Sequence, residues 1–249
     1  MPAVKQTTLI LFSRFPEAGK TKTRLIPVLG AQGAAALQKK LTEQAAAGIR
    51  KACELHACTA EIHYAGADKA AMRDWLGDHF SYYRQQGDGL GKRMEAAIAG
   101  AFSRGARQVL LTGGDCPAVT TPLIARALHL LGTSDLVFSP TFDGGYFLVG
   151  VNQDGHVQTD SSEFPAQQLK ELQGSVRPHR GFCDTDRKKA PGAPWAAIFR
   201  DIPWGTATVL LDSLRQADAL GLLVSLTPGF PDIDRPDDLV YLRHYPDAG

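Results

Sequence analysis

Long apolar runs, paired cysteines and an excess of one charge are all missing from this chain of 249 residues. No apolar run approaches the roughly 20 residues that a membrane-spanning helix needs. The four cysteines form no CxxC pair and no zinc-finger spacing, which predicts free thiols in a reducing cytoplasm. Lys and Arg total 27 against 26 Asp and Glu, so the broad basic surface typical of nucleic-acid binding is absent. We therefore expect a cytoplasmic protein that binds neither nucleic acid nor membrane.

Short apolar segments alternate with helix-forming ones along most of the sequence. The N-terminal MPAVKQTTLILFSRF has too short an apolar stretch for a signal peptide and predicts a first strand instead. Predicted strands cover residues 7–12, 58–65, 80–85, 107–115, 135–140 and 222–228, and predicted helices cover 31–53, 69–77, 90–104, 121–131, 206–220 and 235–245. This alternation predicts an α/β fold, with a mostly parallel sheet between helices on both faces.

The stretch from Asn152 to Trp195 departs from this pattern. It is rich in Gly and Pro, has little periodicity and is longer than an ordinary loop. Between positions 177 and 189 its cations outnumber its acids: Arg177, Arg180, Arg187, Lys188 and Lys189 stand against Asp184 and Asp186. Two interpretations are open, a mobile surface elaboration and a lid that binds an anion.

The segment SRFPEAGKTKTRL, residues 13–25, follows the first predicted strand and contains the GKT that ends a P-loop. A P-loop also needs a glycine five residues before its Gly-Lys pair, because backbone amides wrap the phosphates there. The residue five before Gly19 is Arg14, and Pro16 has no amide hydrogen to donate. No GxGxxG follows the strand either. Both the P-loop and the Rossmann dinucleotide site are therefore excluded.

Cations recur in this segment at every second residue, at Lys20, Lys22 and Arg24. In an extended chain alternate residues point the same way, so the three would converge on one face beyond the carboxyl end of the strand. Three converging cations suit a di- or triphosphate. Since Glu17 is the one acid in the segment, we favour this phosphate site over the alternative of a solvated charged turn.

Acidic residues near two predicted element ends are candidate metal ligands. Asp115 follows a strongly apolar strand and two glycines, where it could hold a divalent cation or cap the next helix. Thr120 already supplies a cap for that helix, which favours the metal. In DIDRPDDL, Asp232 and Asp234 form a second pair, although capping chemistry explains acids before a Pro-started helix equally well.

Two glycine-containing segments are the remaining candidates for a binding site. DGG at positions 143–145 lies between two apolar segments and predicts a hairpin turn rather than a site. GDGLGKRM, from position 87, combines glycines with a helix start, where free amides could meet a base, ribose or phosphate.

Taken in order, six motifs resemble those of the rSAM/selenodomain-associated transferases, a family of nucleotide-diphospho-sugar transferases also described as arsenosugar-biosynthesis glycosyltransferases. They are LILFSRFPEAGKTKTRLIPVLG, GDGLGKRM, GGDCPAVT, DGGYFLVGV, IPWGTATV and DIDRPDDL. That family is similar in fold to 2-phospho-lactate guanylyltransferase, molybdopterin guanylyltransferase and CMP-sugar synthetases. The resemblance spans almost the whole chain and implies a three-layer, Rossmann-like GT-A fold, a nucleotide donor and a divalent metal, Mg²⁺ or Mn²⁺.

The resemblance also implies roles for individual residues. A donor-binding set would comprise Arg14, Lys20, Lys22 and Arg24 around the phosphates, Gly87, Asp88, Gly89 and Arg93 on the base side, and Asp143, Gly144 and Gly145 beside the acceptor. Asp115 would be the principal metal ligand and Asp234 the second, although Arg235 replaces the Thr usual after it. We expect Lys22, Arg24 and Asp115 to take a direct part in catalysis.

The expected protein is thus a single domain over residues 1–249, with an insertion at about 152–200 that the family lacks. It would be a metal-dependent transferase that moves a nucleotidyl or glycosyl group to a small-molecule acceptor. The alternative is a non-catalytic nucleotide-binding protein on the same fold.

Overall fold

The computed structural model describes residues 7–153 and 194–245. Its strands are β1 (Thr7–Arg14), β2 (Thr59–Ala65), β3 (Ser81–Arg84), β4 (Gln108–Gly113), β5 (Leu136–Pro140), β6 (Tyr146–Asn152) and β7 (Val224–Leu226). Its α-helices are α1 (Ile26–His56), α2 (Lys69–Leu76), α3 (Gly89–Ser103), α4 (Thr121–Leu131) and α5 (Val209–Ala219), and Thr23–Leu25, Pro194–Phe199 and Pro236–His244 are 3-10 helices. Each predicted element has a counterpart here, and α4 has the predicted bounds.

The described strands form one sheet in the order β3-β2-β1-β4-β6-β5-β7. β1 lies parallel to β2 and β4, and only β6 runs against its neighbours, because a tight hairpin joins it to β5. The prediction of a mostly parallel sheet is confirmed. Since chain order reverses direction between β1 and β4, the carboxyl ends of these two strands meet at a topological switch point, where α/β folds commonly bind ligands.

Alternate side chains of the central strands pack into two cores on opposite faces of the sheet. Leu9 and Leu11 of β1 contact the core covered by α1, α2 and α4, whereas Ile10 and Phe12 contact the core covered by α3, α5 and the 3-10 helix Pro194–Phe199. This period of two is what a strand buried on both faces produces. The result is the three-layer arrangement expected of a GT-A fold.

Helix α1 is interrupted at Gly30, and this break explains why the sequence predicts a helix only from Ala31. Gly30 has a φ of 69° inside the assigned helix, so one short turn from Ile26 precedes the regular helix that begins at Ala31. Pro27 suits that first turn because its missing N–H would have no partner there. The prediction of a helix from Ala31 is therefore correct for the main part of α1.

The hairpin between β5 and β6 depends on a glycine. Gly144 has a φ of 91°, and a Cβ built on it would lie 2.0 Å from the carbonyl oxygen of Ala207. The amide of Leu210 also donates to the Gly144 carbonyl, at 3.0 Å. The turn predicted for DGG is therefore confirmed, and it packs directly on the start of α5.

Several sequence predictions lie outside the described residues. Most of the insertion expected at about 152–200, including its cluster of cations and Cys183, falls in residues 154–193. Among the residues that are described, no helix has the length and apolar character needed to cross a membrane.

Candidate functional site

The basic segment and both acidic motifs meet at the carboxyl ends of β1 and β4. The segment 227–235 runs along this edge of the sheet, with amides of Thr227 and Phe230 donating at 3.0 Å to carbonyls of β5. Further along, the amide of Ile233 donates to the carbonyl of Asp115 at 3.2 Å. The structure thus brings the GGDCP and DIDRP motifs together, although they lie far apart in the sequence.

Lys22 occupies the centre of this junction. Its Nζ donates to the carbonyl of Ile233 at 2.5 Å and lies 2.9 Å from Oδ1 of Asp115, and its side chain is only 3% exposed. Its backbone is left-handed, with a φ of 43° and a ψ of 47°, which is uncommon for a residue other than glycine. A left-handed residue turns the chain sharply here, and the ammonium points into the protein.

Two of the three cations converge and the third does not, so the prediction is wrong for Lys20 only: Lys22 and Arg24 both reach residues 233–234. Lys20 pairs with Glu17 at 2.7 Å on the surface, Lys22 points inward, and Arg24 pairs with Asp234. The physical reason is local backbone geometry. A turn covers residues 18–20, a bend covers residues 21–22 and a 3-10 helix covers Thr23–Leu25, so the period of two that holds in an extended chain is lost.

The acidic motif after β7 contains carboxylates with different environments. Asp238 accepts hydrogen bonds from the amides of Asp234, at 3.0 Å, and Arg235, at 2.6 Å, as a first-turn acid of the 3-10 helix Pro236–His244. It serves the capping role that the sequence allowed for this motif. The side chain of Asp234 is 40% exposed and faces Arg24, which leaves it accessible to a ligand.

Asp232 has a pKa raised by its surroundings. Burial, and next the carboxylate of Asp143, raise the pKa of Asp232 to about 6, with smaller contributions from Asp238 and Asp234 and an opposing backbone hydrogen bond. The carboxylates of DGG and DIDRP therefore lie close enough to repel one another. Bringing a cation to this group of acids would relieve that repulsion.

The predicted acceptor-side and base-side residues border the same edge. Oδ1 of Asp143 accepts from Oγ1 of Thr141 at 2.5 Å and from the amide of Gly145 at 3.1 Å, so this carboxylate holds the hairpin turn together. On the other side, Gly87 has a φ of 116° and its carbonyl accepts from Nε of Arg93 at 3.1 Å.

Two further residues of the predicted donor set also lie at this edge. Asp88 and Gly89 begin α3, and the Asp88 side chain makes no capping hydrogen bond. Arg14 ends β1, where it packs beside Gly66. These residues surround the switch point, and their contact with a ligand stays a prediction.

Asp115 and Asp234 suit a divalent cation that also binds a phosphate of a ligand. They suit less well a cation whose ligands all come from the protein. Within residues 7–153 and 194–245, no three His, Cys, Asp or Glu side chains gather as a metal-binding group. Asp115 and Asp234 are 54% and 40% exposed, and hard oxygen ligands of this kind suit Mg²⁺ or Mn²⁺. Mg²⁺ is commonly held by one or two carboxylates together with substrate phosphates and water.

Sequence reasoning missed one atom of this junction, the carbonyl oxygen of Ile233. Ile233 is fully buried between two partly exposed acids, and its carbonyl receives the buried ammonium of Lys22. An apolar residue between two aspartates, DID, was the available signal. It indicates a segment that alternates between the interior and the surface, but it does not identify the lysine.

The chain matches a protein family over residues 33–166, slightly more than half of its length. That family is described as "Uncharacterized protein conserved in bacteria (DUF2064)". The chain belongs to this family. No curated protein matches it.

Solved structures supply the remaining comparisons. A protein from Desulfovibrio desulfuricans G20 with the provisional name nucleotide-diphospho-sugar transferase is 28% identical, with a TM-score of 0.74 over 96% of this chain and 87% of that one. The 4-diphosphocytidyl-2C-methyl-D-erythritol synthase of Anaerococcus prevotii DSM 20548 is 11% identical, with a TM-score of 0.51 over 97% and 98% of the two chains. A nucleotidyl transferase of Methanothermobacter, Mth528, is 12% identical, with a TM-score of 0.52 over 99% and 100%.

These likenesses confirm the predicted fold class, since the structural neighbours have the fold of nucleotidyltransferases and nucleotide-diphospho-sugar transferases. The two neighbours below 25% identity bear on the fold alone. The radical-SAM and selenodomain association, and the likeness to guanylyltransferases, stay predictions from the sequence motifs.

Proposed function

We propose that this protein is a transferase that uses a nucleotide or nucleotide-sugar donor together with a divalent cation, Mg²⁺ or Mn²⁺. It moves a nucleotidyl or glycosyl group to a small-molecule acceptor. The observation that carries the proposal is the junction at the switch point, where Lys22 joins Asp115 to the segment that ends in Asp234. Exposed Arg24 and two accessible carboxylates lie beside it, a set that matches a phosphate and its cation.

The residues of the junction have distinct roles in this proposal. Arg24 offers a guanidinium to a donor phosphate, because its side chain is 63% exposed and its only partner, among the described residues, is an exposed acid. Lys22 holds Asp115 and the Ile233 carbonyl in place rather than contacting the donor. Asp115 and Asp234 would hold the cation, which neutralises the charge that develops on the departing phosphate.

Two transfer reactions fit this arrangement. In nucleotidyl transfer the acceptor attacks the α-phosphorus of a nucleoside triphosphate and pyrophosphate leaves. In glycosyl transfer the acceptor attacks the sugar and a nucleoside diphosphate leaves. Three unpaired cations would have favoured the triphosphate, but Lys20, Lys22 and Arg24 each face a carboxylate. The charge of the segment therefore no longer favours one reaction over the other.

The products distinguish the two reactions. The protein is incubated with each nucleoside triphosphate, and separately with UDP-sugars and GDP-sugars, in Mg²⁺ or Mn²⁺ with a cell extract as the source of acceptors. Release of pyrophosphate identifies nucleotidyl transfer, and release of a nucleoside diphosphate identifies glycosyl transfer. Asp115→Asn serves as the control for contaminating activities, since it keeps the size of the side chain and removes its charge.

A non-catalytic nucleotide-binding protein on the same fold is the second candidate. It predicts nucleotide binding that neither needs a divalent cation nor weakens in Asp115→Ala. The retained Asp115 and basic segment favour the enzyme, because a protein that only binds nucleotides has no need of an exposed carboxylate beside the phosphates. Binding of nucleotide without turnover in any of the incubations above would favour the non-catalytic protein.

We further propose that the protein works in the cytoplasm as one domain. The support for this proposal is the sequence, in which the four cysteines form no CxxC pair and no zinc-finger spacing.

A further inference from the structure

Three cations of the basic segment, residues 13–25, are balanced by carboxylates. Lys20 faces Glu17, Lys22 faces Asp115, and Arg24 faces Asp234. A polyphosphate that arrives alone must therefore compete with a carboxylate for its cation. A divalent cation that arrives alone must compete with a lysine or arginine for its carboxylate.

The two ion pairs at the junction differ in how easily they separate. Lys22 is almost fully buried and also donates to the Ile233 carbonyl, so withdrawing it would leave buried polar groups without partners. Arg24 and Asp234 are 63% and 40% exposed, and exposed ion pairs cost little to break because water replaces the partner. Of these two pairs, Arg24–Asp234 is therefore the one suited to exchange partners.

The backbone on both sides of that pair is held in place. Arg24 belongs to the 3-10 helix Thr23–Leu25, whose Leu25 is fully buried. The amide of Asp234 donates to the Asp238 carboxylate, and the neighbouring Ile233 is buried and donates its amide to the Asp115 carbonyl. Exchange of partners thus needs rotation of two side chains and no movement of the loop.

We infer that the Arg24–Asp234 pair is a latch that couples the binding of phosphate to the binding of a divalent cation. When both ligands bind, Arg24 turns to the phosphate and Asp234 turns to the cation. The ligand class of the site is accordingly a metal–polyphosphate complex, and each component raises the affinity for the other by the same factor. This inference rests on the proposed function and adds how the site selects the complexed form of its donor.

Binding measurements test the latch without relying on turnover. Pyrophosphate and the four common nucleoside triphosphates are titrated by calorimetry, with EDTA and then with Mn²⁺, and the tightest ligand is carried forward. Binding of Mn²⁺ alone is followed by the electron paramagnetic resonance signal of the free ion. The variants are Asp234→Asn and Arg24→Gln, and Glu17→Gln is the matched control because it breaks the other exposed pair of the same segment.

Opposite effects are expected from the two sides of the latch. Asp234→Asn binds the phosphate ligand in EDTA roughly two- to fivefold more tightly, the range set by an exposed ion pair, and loses most of the enhancement by Mn²⁺. Arg24→Gln binds Mn²⁺ alone more tightly by a similar factor and binds the phosphate ligand more weakly. Glu17→Gln leaves the enhancement by Mn²⁺ as in the parent protein.

Each other outcome overturns the inference. The latch is wrong, and the proposed function stands, if Asp234→Asn binds the phosphate ligand in EDTA no more tightly than the parent protein. The same conclusion follows if Glu17→Gln loses the enhancement by Mn²⁺ as Asp234→Asn does. If the parent protein binds none of the five ligands, and none of the UDP-sugars and GDP-sugars of the turnover assay, with or without Mn²⁺, both the latch and the proposed function are wrong.

Discussion

Nζ of Lys22 lies 2.9 Å from Oδ1 of Asp115, yet the lysine side chain is 3% exposed and the aspartate side chain is 54% exposed. The cation of this pair points into the protein, and the carboxylate points into the open edge of the sheet. The same nitrogen also donates to the carbonyl of Ile233. The pair therefore anchors the C-terminal segment to the tip of β4 and presents one carboxylate to a ligand.

Replacing the buried lysine tests this anchor. Lys22→Met should lower the free energy of unfolding by about 1–3 kcal/mol, because the Ile233 carbonyl loses its buried donor. Lys20→Met removes an exposed pair of the same segment and should change it by less than about 0.5 kcal/mol. Urea denaturation of both variants measures the difference. Equal effects would contradict the buried role of Lys22.

Arg24 should contribute to donor binding directly. Arg24→Ala is expected to weaken binding of the metal-complexed donor about tenfold, the size of a charge-assisted hydrogen bond. Lys22→Ala should also weaken it, but through the displaced segment and with a loss of stability. Calorimetric titration measures both, with Lys39→Ala as the control because Lys39 is an exposed lysine of α1 outside the predicted donor set. Unchanged affinity in Arg24→Ala and Lys22→Ala alike would mean that the basic segment does not bind the donor.

The hairpin beside the site should tolerate no side chain at Gly144. In Gly144→Ala the new Cβ would lie 2.0 Å from the Ala207 carbonyl oxygen, so the turn or the start of α5 must move, at an expected cost of at least about 2 kcal/mol. Gly105→Ala is the matched control, since its φ of 96° is similar and no atom lies within 4 Å of its Cβ. Its expected cost is only the backbone strain of about 1 kcal/mol. Thermal unfolding that shows equal losses would exclude the steric explanation.

The thiol of Cys116 should be unreactive in the native protein. Burial raises the pKa of Cys116 to about 12, with a backbone hydrogen bond from Ala118 opposing the shift, so almost no thiolate forms at pH 8. Iodoacetamide at pH 8 should therefore label Cys116 in the denatured protein and leave it unlabelled in the native protein, as read by peptide mass spectrometry. Equal labelling of Cys116 in the native and denatured protein would show that the thiol is accessible.

The helices and strands could be predicted because their signals are local. α4 was predicted with its observed bounds, Thr121–Leu131, since a proline start and a final glycine enclose a periodic apolar run. The prediction of a helix from Ala31 is correct for the regular part of α1, because Gly30 interrupts the helix just before that residue. Asp115 and DIDRP were recognised as candidates from their positions after predicted elements, and the structure brings those two motifs into contact.

The amino-acid sequence by itself determined the alternation of elements, the sheet between two helical layers and the three acidic and basic motifs of the candidate site, because each depends on neighbouring residues. Only the tertiary structure decided which cation serves which purpose. Lys20, Lys22 and Arg24 look equivalent along the chain, but in the structure Lys20 pairs with Glu17 of its own segment, whereas Lys22 and Arg24 reach Ile233 and Asp234. The partner that draws Lys22 inward, the carbonyl of Ile233, reaches it only after the sheet has formed and the last segment has crossed its edge.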